Sequence, residues 1–523
     1  MNGCYAPNWW AIIFSPQKKA PFNQPPMTIS LQSSLCPELP EVVNNVDYQN
    51  KLAILQRIDQ ILRVGKIDEC YIEMATNHWL NTRDGGPEPR AQDIRQFAKT
   101  SQYGFRAMLI KSLMGYRYRE LSVLLAECPL YRWFCRMEMF GPIKSPGKSS
   151  LQEWAQRLPV DQMQLIINHI TATAAAPCNP LELKNQIELD SVWMDTSCLK
   201  ANIHFPVDWV LLLDAVRTLI KSVTLIRNHG LKHRMNSPES FMKAMNRLSI
   251  EMTHSRRKAD SKKQRKKVLR RMKELCKTVR SHARRHRDLL EQRWSQTDWS
   301  DPQARQIIGR MDRVFEQLPK AIEQAHERII GGRQVPSHEK ILSLYEPDVN
   351  VIKRGKAGAE VEFGNKLFLA ENSQGLIVDW KLYRESAPSD DHLVEPCLGR
   401  MEKTFGKGVI RGIVGDRGFD SADNEQLLAE KGMFNGLFSK DPVKMKVRHM
   451  SKLYQRLQTR RAQTEARIAI MTNDFAGTPM LSKGFERRER EMSWHILTHN
   501  LWLLARMEQA NEQKIAQRLE SAG

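Results

Sequence analysis

Three acidic residues have types and neighbours that could do chemistry together. Asp195 lies in the apolar, β-branched run IELDSVWMDTSCL (187–199), which reads as a buried strand. Asp416 ends a second such run, KGVIRGIVGD (407–416), and is followed by the turn RGF. Glu465 sits in the helical stretch RRAQTEARIAI. Carboxylates at strand ends and on an adjoining helix can converge on one point. Hard divalent cations, Mg²⁺ with Mn²⁺ as a substitute, prefer such oxygen ligands. Two ions about 3.5–4 Å apart would activate a water or a 3′-hydroxyl and stabilise the leaving oxygen of an in-line phosphoryl displacement. Spacing alone discriminates weakly, because the chain holds 59 acids and a lone Asp at a strand end usually serves a turn or a cap.

The elements that must position these acids form an α/β pattern. Residues 1–45 read as a weakly structured, Pro-rich lead-in, with Met27 as a second candidate start. Residues 46–90 read as one or two short helices. From Ile94 to Phe134 apolar residues recur at three- and four-residue spacing, so this stretch is helical. Within it Arg117, Arg119 and Arg132 alternate with Tyr116, Tyr118, Tyr131 and Trp133. The arginines can pair with phosphate while the rings anchor helices or stack on sugar and base. The plainer reading is a helical bundle with a solvated basic rim. GPIKSPGKSS (141–150) punctuates the region, and helix continues to about residue 180.

After the first strand, NIHFPVDWVLLLDAVRTLI turns into a helix, and residues 217–335 read as almost wholly helical. Strand signals resume at about 349 as a meander of two or three strands. Residues 390–406 read as a helix, 407–416 as a buried strand, and FDSADNEQLLAEKG as a capped helix stopped by Gly432. A short strand follows near 433–438. Asp441-Pro442 starts one long helix carrying Glu465, and ERREREMSWHILTHNLWLLAR closes the ordered part.

Charge narrows the partners. Lys and Arg number 80 against 59 acids, a formal net charge of +21. That balance points to a polyanion, nucleic acid or an anionic surface. Half of the residues from Arg256 to Arg287 are Lys or Arg. Such a run is commonly a solvated helix face. In so basic a chain, contact of Lys263, Arg265, Lys266, Lys267 and Arg270 with phosphates is the better reading. The nine cysteines are scattered, with no C-x-x-C pair, which argues against a disulfide framework or structural zinc and fits the cytoplasm. No apolar run approaches the roughly 20 residues that cross a bilayer.

The blocks around the acids resemble the DDE transposases of bacterial insertion sequences, whose catalytic domain is RNase H-like. MDTSCLKANIHFPVDWVLLLDAVR is similar to that family's first-aspartate block, and RGKAGAEVEFGNKLFLAE to the strands that follow an insertion. GIVGDRGFDSADN is similar to the second-aspartate block, RRAQTEARIAI to the glutamate block, and SWHILTHNLWLLAR to the final helix. FRAMLIKSLMGYRYRELSVLLAECPLYRWF resembles the helical DNA-binding region, so the likeness covers about residues 95–505. It implies Asp195, Asp416 and Glu465 as catalytic metal ligands, with Arg461, one turn before Glu465, orienting it or holding a phosphate. It departs at Thr472, where members often carry Lys, and at Gln458, where they often carry Tyr. Glu489 or Glu491 is therefore the fallback for the third acid.

The resemblance implies an α/β, RNase H-like mixed sheet with a helical insertion, preceded by an all-helical region. Residues 46–180 would bind DNA, 187–216 and 336–505 would form the catalytic domain, 217–335 the basic insertion and 506–523 a tail. The implied partner is double-stranded DNA, both element ends and target, bound by a homodimer or larger synaptic complex. A nuclease that cuts without joining, or an inactive DNA-binding remnant, are the rival readings.

Plainer roles fall to other residues. His204 shapes the turn near Asp195 more readily than it ligates metal. Asp208 and Asp214 read as caps of the next helix. His282 and His286 share a helix face as part of the basic surface. Lys353, Arg354, Lys356 and Lys366 flank the returning strands and could touch the DNA backbone.

Overall fold

The apolar run around Asp195 forms the strand Ser191–Lys200 (β1), the axis of a six-stranded mixed sheet. The computed structural model describes residues 38–83, 87–255, 260–356 and 359–509. Most of the lead-in and tail, and the side chains of Arg354 and Lys356, lie outside the described residues.

On one side β1 pairs antiparallel with Ala359–Asn372 (β3), which in turn pairs antiparallel with Asn350–Lys356 (β2) and Ile377–Leu382 (β4). The expected meander therefore has three strands. On its other side β1 runs parallel to Gly412–Gly415 (β5), and β5 runs parallel to Phe434–Leu437 (β6). β5 is shorter than its apolar run suggests. Its parallel partner begins only at Ser191, and Arg411 and Gly412 reach back with their N–H groups to the Asp190 carbonyl.

Alternation along β1 sends its side chains to opposite faces. Val192, Met194 and Ile413 pack beneath the helices Val394–Phe405 (α12) and Ala422–Glu430 (α13). The opposite face carries Trp193, Val414 and Asp195. It is covered by Lys452–Ala469 (α15) and Phe485–Ala505 (α16). The single long helix expected from Asp441 is in fact two. Pro442–His449 (α14) stops, and the Ser451 hydroxyl caps α15 by accepting from Tyr454 N. The turn Asp390–Leu393 likewise precedes α12, so the helix expected at 390–406 starts four residues later.

The N-terminal region folds as Val46–Val64 (α1), Ile67–Asn81 (α2), Ala91–Met114 (α3), Tyr118–Glu127 (α4), Pro129–Phe134 (α5), Lys148–Trp154 (α6) and Val160–Ala174 (α7). These helices share one apolar core with α16 and the β3–β4 edge of the sheet. α16 is buried on nearly every side, and its polar residues are accordingly paired. Asn500 bonds the backbone of Ile377 in both directions, and Trp494 donates to the Ala155 carbonyl.

Between β1 and β2 stand four helices: Asp208–Asn228 (α8), Pro238–Ser255 (α9), Ser261–Arg293 (α10) and Asp301–His326 (α11). α8 runs through the boundary expected at 216/217 and buries its leucine face with α9–α11 in a separate core. The basic run becomes α10, whose buried residues Leu269, Met272, Cys276, Val279, Ala283, His286 and Leu290 alternate three- and four-residue steps. That single apolar stripe seats the helix in the bundle and leaves its cations outside. His286 belongs to this stripe rather than to the basic surface. Burial and the nearby cations hold both His282 and His286 below the ordinary imidazole pKa. Asp208 is no solvated cap either, since it is buried and accepts from Arg328 and Gln324, pinning α8 to α11.

Candidate active site

Strand register brings the two aspartates together. β1 and β5 pair Ser191 with Gly412, Val192 with Ile413 and Trp193 with Val414. Continued by two residues, that register sets Asp416 level with Asp195, one strand spacing (about 4.8 Å) away. Asp416 keeps an extended backbone, so its side chain leaves on the face that Asp195 uses. It also accepts from Gly418 N at 2.8 Å, so it caps the RGF turn while it faces the cleft.

α15 brings the glutamate over the same face. The Trp193 indole donates to the Leu457 carbonyl at 2.9 Å, fixing where the helix crosses β1. Its rotation is set by Glu371 at the β3 end, only 2 % exposed. Glu371 pairs with Arg460 at 2.5 Å and Arg467 at 3.3 Å, and accepts from the Thr464 hydroxyl at 2.7 Å. With 460, 464 and 467 held to the sheet edge, 461, 465 and 468 turn toward the cleft, as helical periodicity requires. At position 458, where the resemblance departs, the Gln458 amide donates to Gly436 and Gly415 carbonyls and ties α15 to the ends of β5 and β6.

Asp195, Asp416, Glu465 and Arg461 thus line one open cleft of about 730 Å³. Arg461 pairs with Glu465 at 3.1 Å, and the Glu465 side chain is 60 % exposed. Burial, with Asp416 and Glu465 nearby, raises the Asp195 carboxyl to about 6, against the opposing pull of the Thr196 N–H and Arg461. A carboxylate group that lacks enough positive charge in this way is suited to a hard cation. Among the described residues no three acids, histidines or cysteines are already gathered tightly enough to hold an ion between them. The donor chemistry fits Mg²⁺ or Mn²⁺, and Glu465, the most exposed of the three acids, stands paired with Arg461.

No family model, curated protein or solved structure matches the chain.

Two acids that line this cleft, Glu385 and Asp390, give no chemical signal in the sequence. Asp390 lines it, paired with Lys366 at 2.6 Å and accepting from the Thr196 hydroxyl at 3.2 Å. A Cβ on Gly418 would stand 2.9 Å from an Asp390 oxygen and 3.0 Å from an Asp416 oxygen, so the two carboxylates share the space glycine leaves. The sequence setting of Asp390 is Ser-Asp-Asp ahead of a helix, which reads as capping. Lys366 lies in the cleft but is occupied by Asp390 and the Pro388 carbonyl, while Lys353 at the rim is exposed.

The remaining candidates lie elsewhere. Glu491 is paired with Lys111 at 2.8 Å, and neither it nor Glu489 lines this cleft. His204 lines a separate groove of about 310 Å³. Lys263, Lys267 and Arg270 are exposed and Arg265 and Lys266 half-buried at the start of α10. Arg117 and Arg119 are exposed at the start of α4. Arg132 is not on the rim. It is buried, donating to the Leu125 carbonyl at 3.0 Å and to the Glu138 carbonyl, which fixes the chain after α5.

Proposed function

We propose that this chain is a DDE-type DNA transposase of the bacterial insertion-sequence kind, with an RNase H-like catalytic core. One observation carries the reading: strand register and the Glu371 cluster direct Asp195, Asp416 and Glu465 into one cleft from three separate stretches of chain. The sheet, antiparallel on the β3 side of β1 and parallel on the β5 side, supports the RNase H-like assignment. The net charge of +21 supports duplex DNA as the partner.

In this reading Asp195, Asp416 and Glu465 would hold Mg²⁺ or Mn²⁺, which supplies Lewis-acid polarisation of the scissile phosphate and of the attacking oxygen. Arg461 holds Glu465 toward the cleft and offers its remaining N–H donors to a phosphate oxygen. Asp390 keeps the Lys366 ammonium beside the aspartates. At each element end water attacks phosphorus, the bond to the 3′ oxygen breaks, and a 3′-hydroxyl is left. That hydroxyl then attacks a target phosphodiester, forming one P–O bond as another breaks, so joining requires no external energy source. Two ends must meet, so the working form is a dimer or larger synaptic complex. No helix among the described residues is long and apolar enough to cross a membrane, and the cytoplasm is the expected site of action.

Joining separates this reading from a simple nuclease. Purified protein with Mg²⁺, given already cleaved element ends and a plasmid target, is expected to yield end–target joined products on a gel. Cutting of intact ends without any joined product would make the chain a nuclease instead.

A further inference from the structure

A second cleft, about 850 Å³ in volume, opens between α3–α4 and the segment 475–495 that leads into and along α16. Arg117, Lys483, Arg487 and Arg490 line it, and none of the four has an ion-pair partner among the described residues. The buried Arg490 Nε also lacks a hydrogen-bond acceptor. A fifth cation, Lys111, is neutralised by Glu491, the one acid among the residues lining the cleft. Four uncompensated cations around one concavity repel one another and gather counterions, whose release favours a polyanion.

The aromatic side chains here are already committed. Tyr116 bonds the Tyr131 hydroxyl at 2.9 Å, Lys111 lies over the Tyr118 ring, and the Trp494 N–H is donated to Ala155. Phe475, which also lines the cleft, packs edge-on against His495, His499 and Trp502, and the unpaired cations around these packed rings favour a phosphodiester backbone as the ligand. The cleft also adjoins the strand that carries Asp195. Met480 N donates to the Lys200 carbonyl at 3.0 Å, and Met480 bridges Ala201, which brings Lys483 close to the end of β1. From Asp195 to Lys200 the strand advances about 17 Å at roughly 3.4 Å per residue. A duplex covers that length in about five base pairs.

We propose that this second cleft seats the phosphate backbone of the duplex arm that continues past the cleavage site. The proposal rests on the reading of the chain as a protein that acts on DNA, and the test separates the two. Lys483 and Arg487 are exposed, so K483E/R487E should fold. K403E/K407E, at exposed lysines near the end of α12 and outside both clefts, makes the same change in net charge. Binding of a fluorescein-labelled duplex is followed by anisotropy across a salt titration, with thermal melting as the check of folding.

The K483E/R487E protein is expected to lose about tenfold or more in affinity. Its plot of log affinity against log salt should be shallower by about 2, near 0.9 for each phosphate that is no longer neutralised. K403E/K407E should follow wild type. Equal affinity and equal slope in the two variants would overturn the cleft assignment while leaving the transposase reading in place. Failure of the wild-type protein to bind duplex would overturn both. If the reversal variant does not fold, K483Q/R487Q removes the same two cations and should reduce the slope alike.

Discussion

Asn at position 195 should lower Mg²⁺-dependent cleavage of element ends by at least about 10³-fold, roughly 4 kcal/mol of transition-state stabilisation, while making the protein more stable at neutral pH. The two effects have one cause. Asp195 is held among other acids in a half-buried cleft, and burial together with Asp416 and Glu465 raises its carboxyl to about 6. In the unfolded chain the same group titrates near 3.9. Between those values the folded state binds the proton more tightly, so stability falls as pH rises from about 4 to about 6 and stays lower above that. Asn removes the charge that causes this loss. The gain is at most about 3 kcal/mol, two pKa units at about 1.4 kcal/mol each. Thermal melting in EDTA should show the variant more stable than wild type at pH 7.5, with the difference shrinking toward pH 4. A variant that cleaves normally, or melts lower than wild type at pH 7.5, would contradict this role for Asp195.

Arg106→Met should be the most damaging single change to stability, costing about 3–5 kcal/mol. Arg106 is 0 % exposed at the centre of the N-terminal helices, paired with Asp59 at 2.6 Å and Asp68 at 2.9 Å, and it donates to the Phe134 carbonyl at 2.8 Å. Methionine fills much of the same volume but leaves two buried carboxylates with one fewer cation between them. Burial alone would raise Asp59, yet Arg106, Arg136 and Arg63 outweigh it and hold the carboxyl below its usual value. A depressed folded pKa means stability that is present above the unfolded value and lost as pH falls through the folded one. Urea unfolding at pH 7 should show the loss. The deficit of the Met variant should narrow below about pH 4. A midpoint equal to that of wild type would show that the cluster is not needed.

Much of this arrangement could be read in the sequence, because burial leaves a pattern. Apolar, β-branched runs marked β1 and the returning strands, and three- and four-residue spacing marked the helices. The acids at 195 and 416 stood out because each lay in or at the end of such a run. Other features depended on contacts between distant parts of the chain. Nothing near Glu371 announces that it will be buried against Arg460, Thr464 and Arg467 of α15, yet that cluster turns Glu465 into the cleft. Asp390 was concealed by a plausible capping role. The leucines of α8 read equally well as cover for a sheet or as one wall of a helical bundle, and only the bundle core decides between them. His286 looked like a surface cation because its neighbours Arg284, Arg285 and Arg287 are basic, and Arg132 because arginines recur along its helical stretch, whereas both are buried.

The most direct test of the central claim is end cleavage by Glu465→Gln compared with wild type, on DNA carrying the element's own ends, with Mg²⁺ and with DNA binding measured in parallel. Glu465 is 60 % exposed and its pair with Arg461 is a surface contact, worth about 1 kcal/mol or less, so the fold should survive the change. The expected result is retained binding with cleavage lost. Unchanged cleavage would contradict Glu465 as the third carboxylate and move that role to Asp390 or Glu385, the other acids that line the cleft holding Asp195 and Asp416.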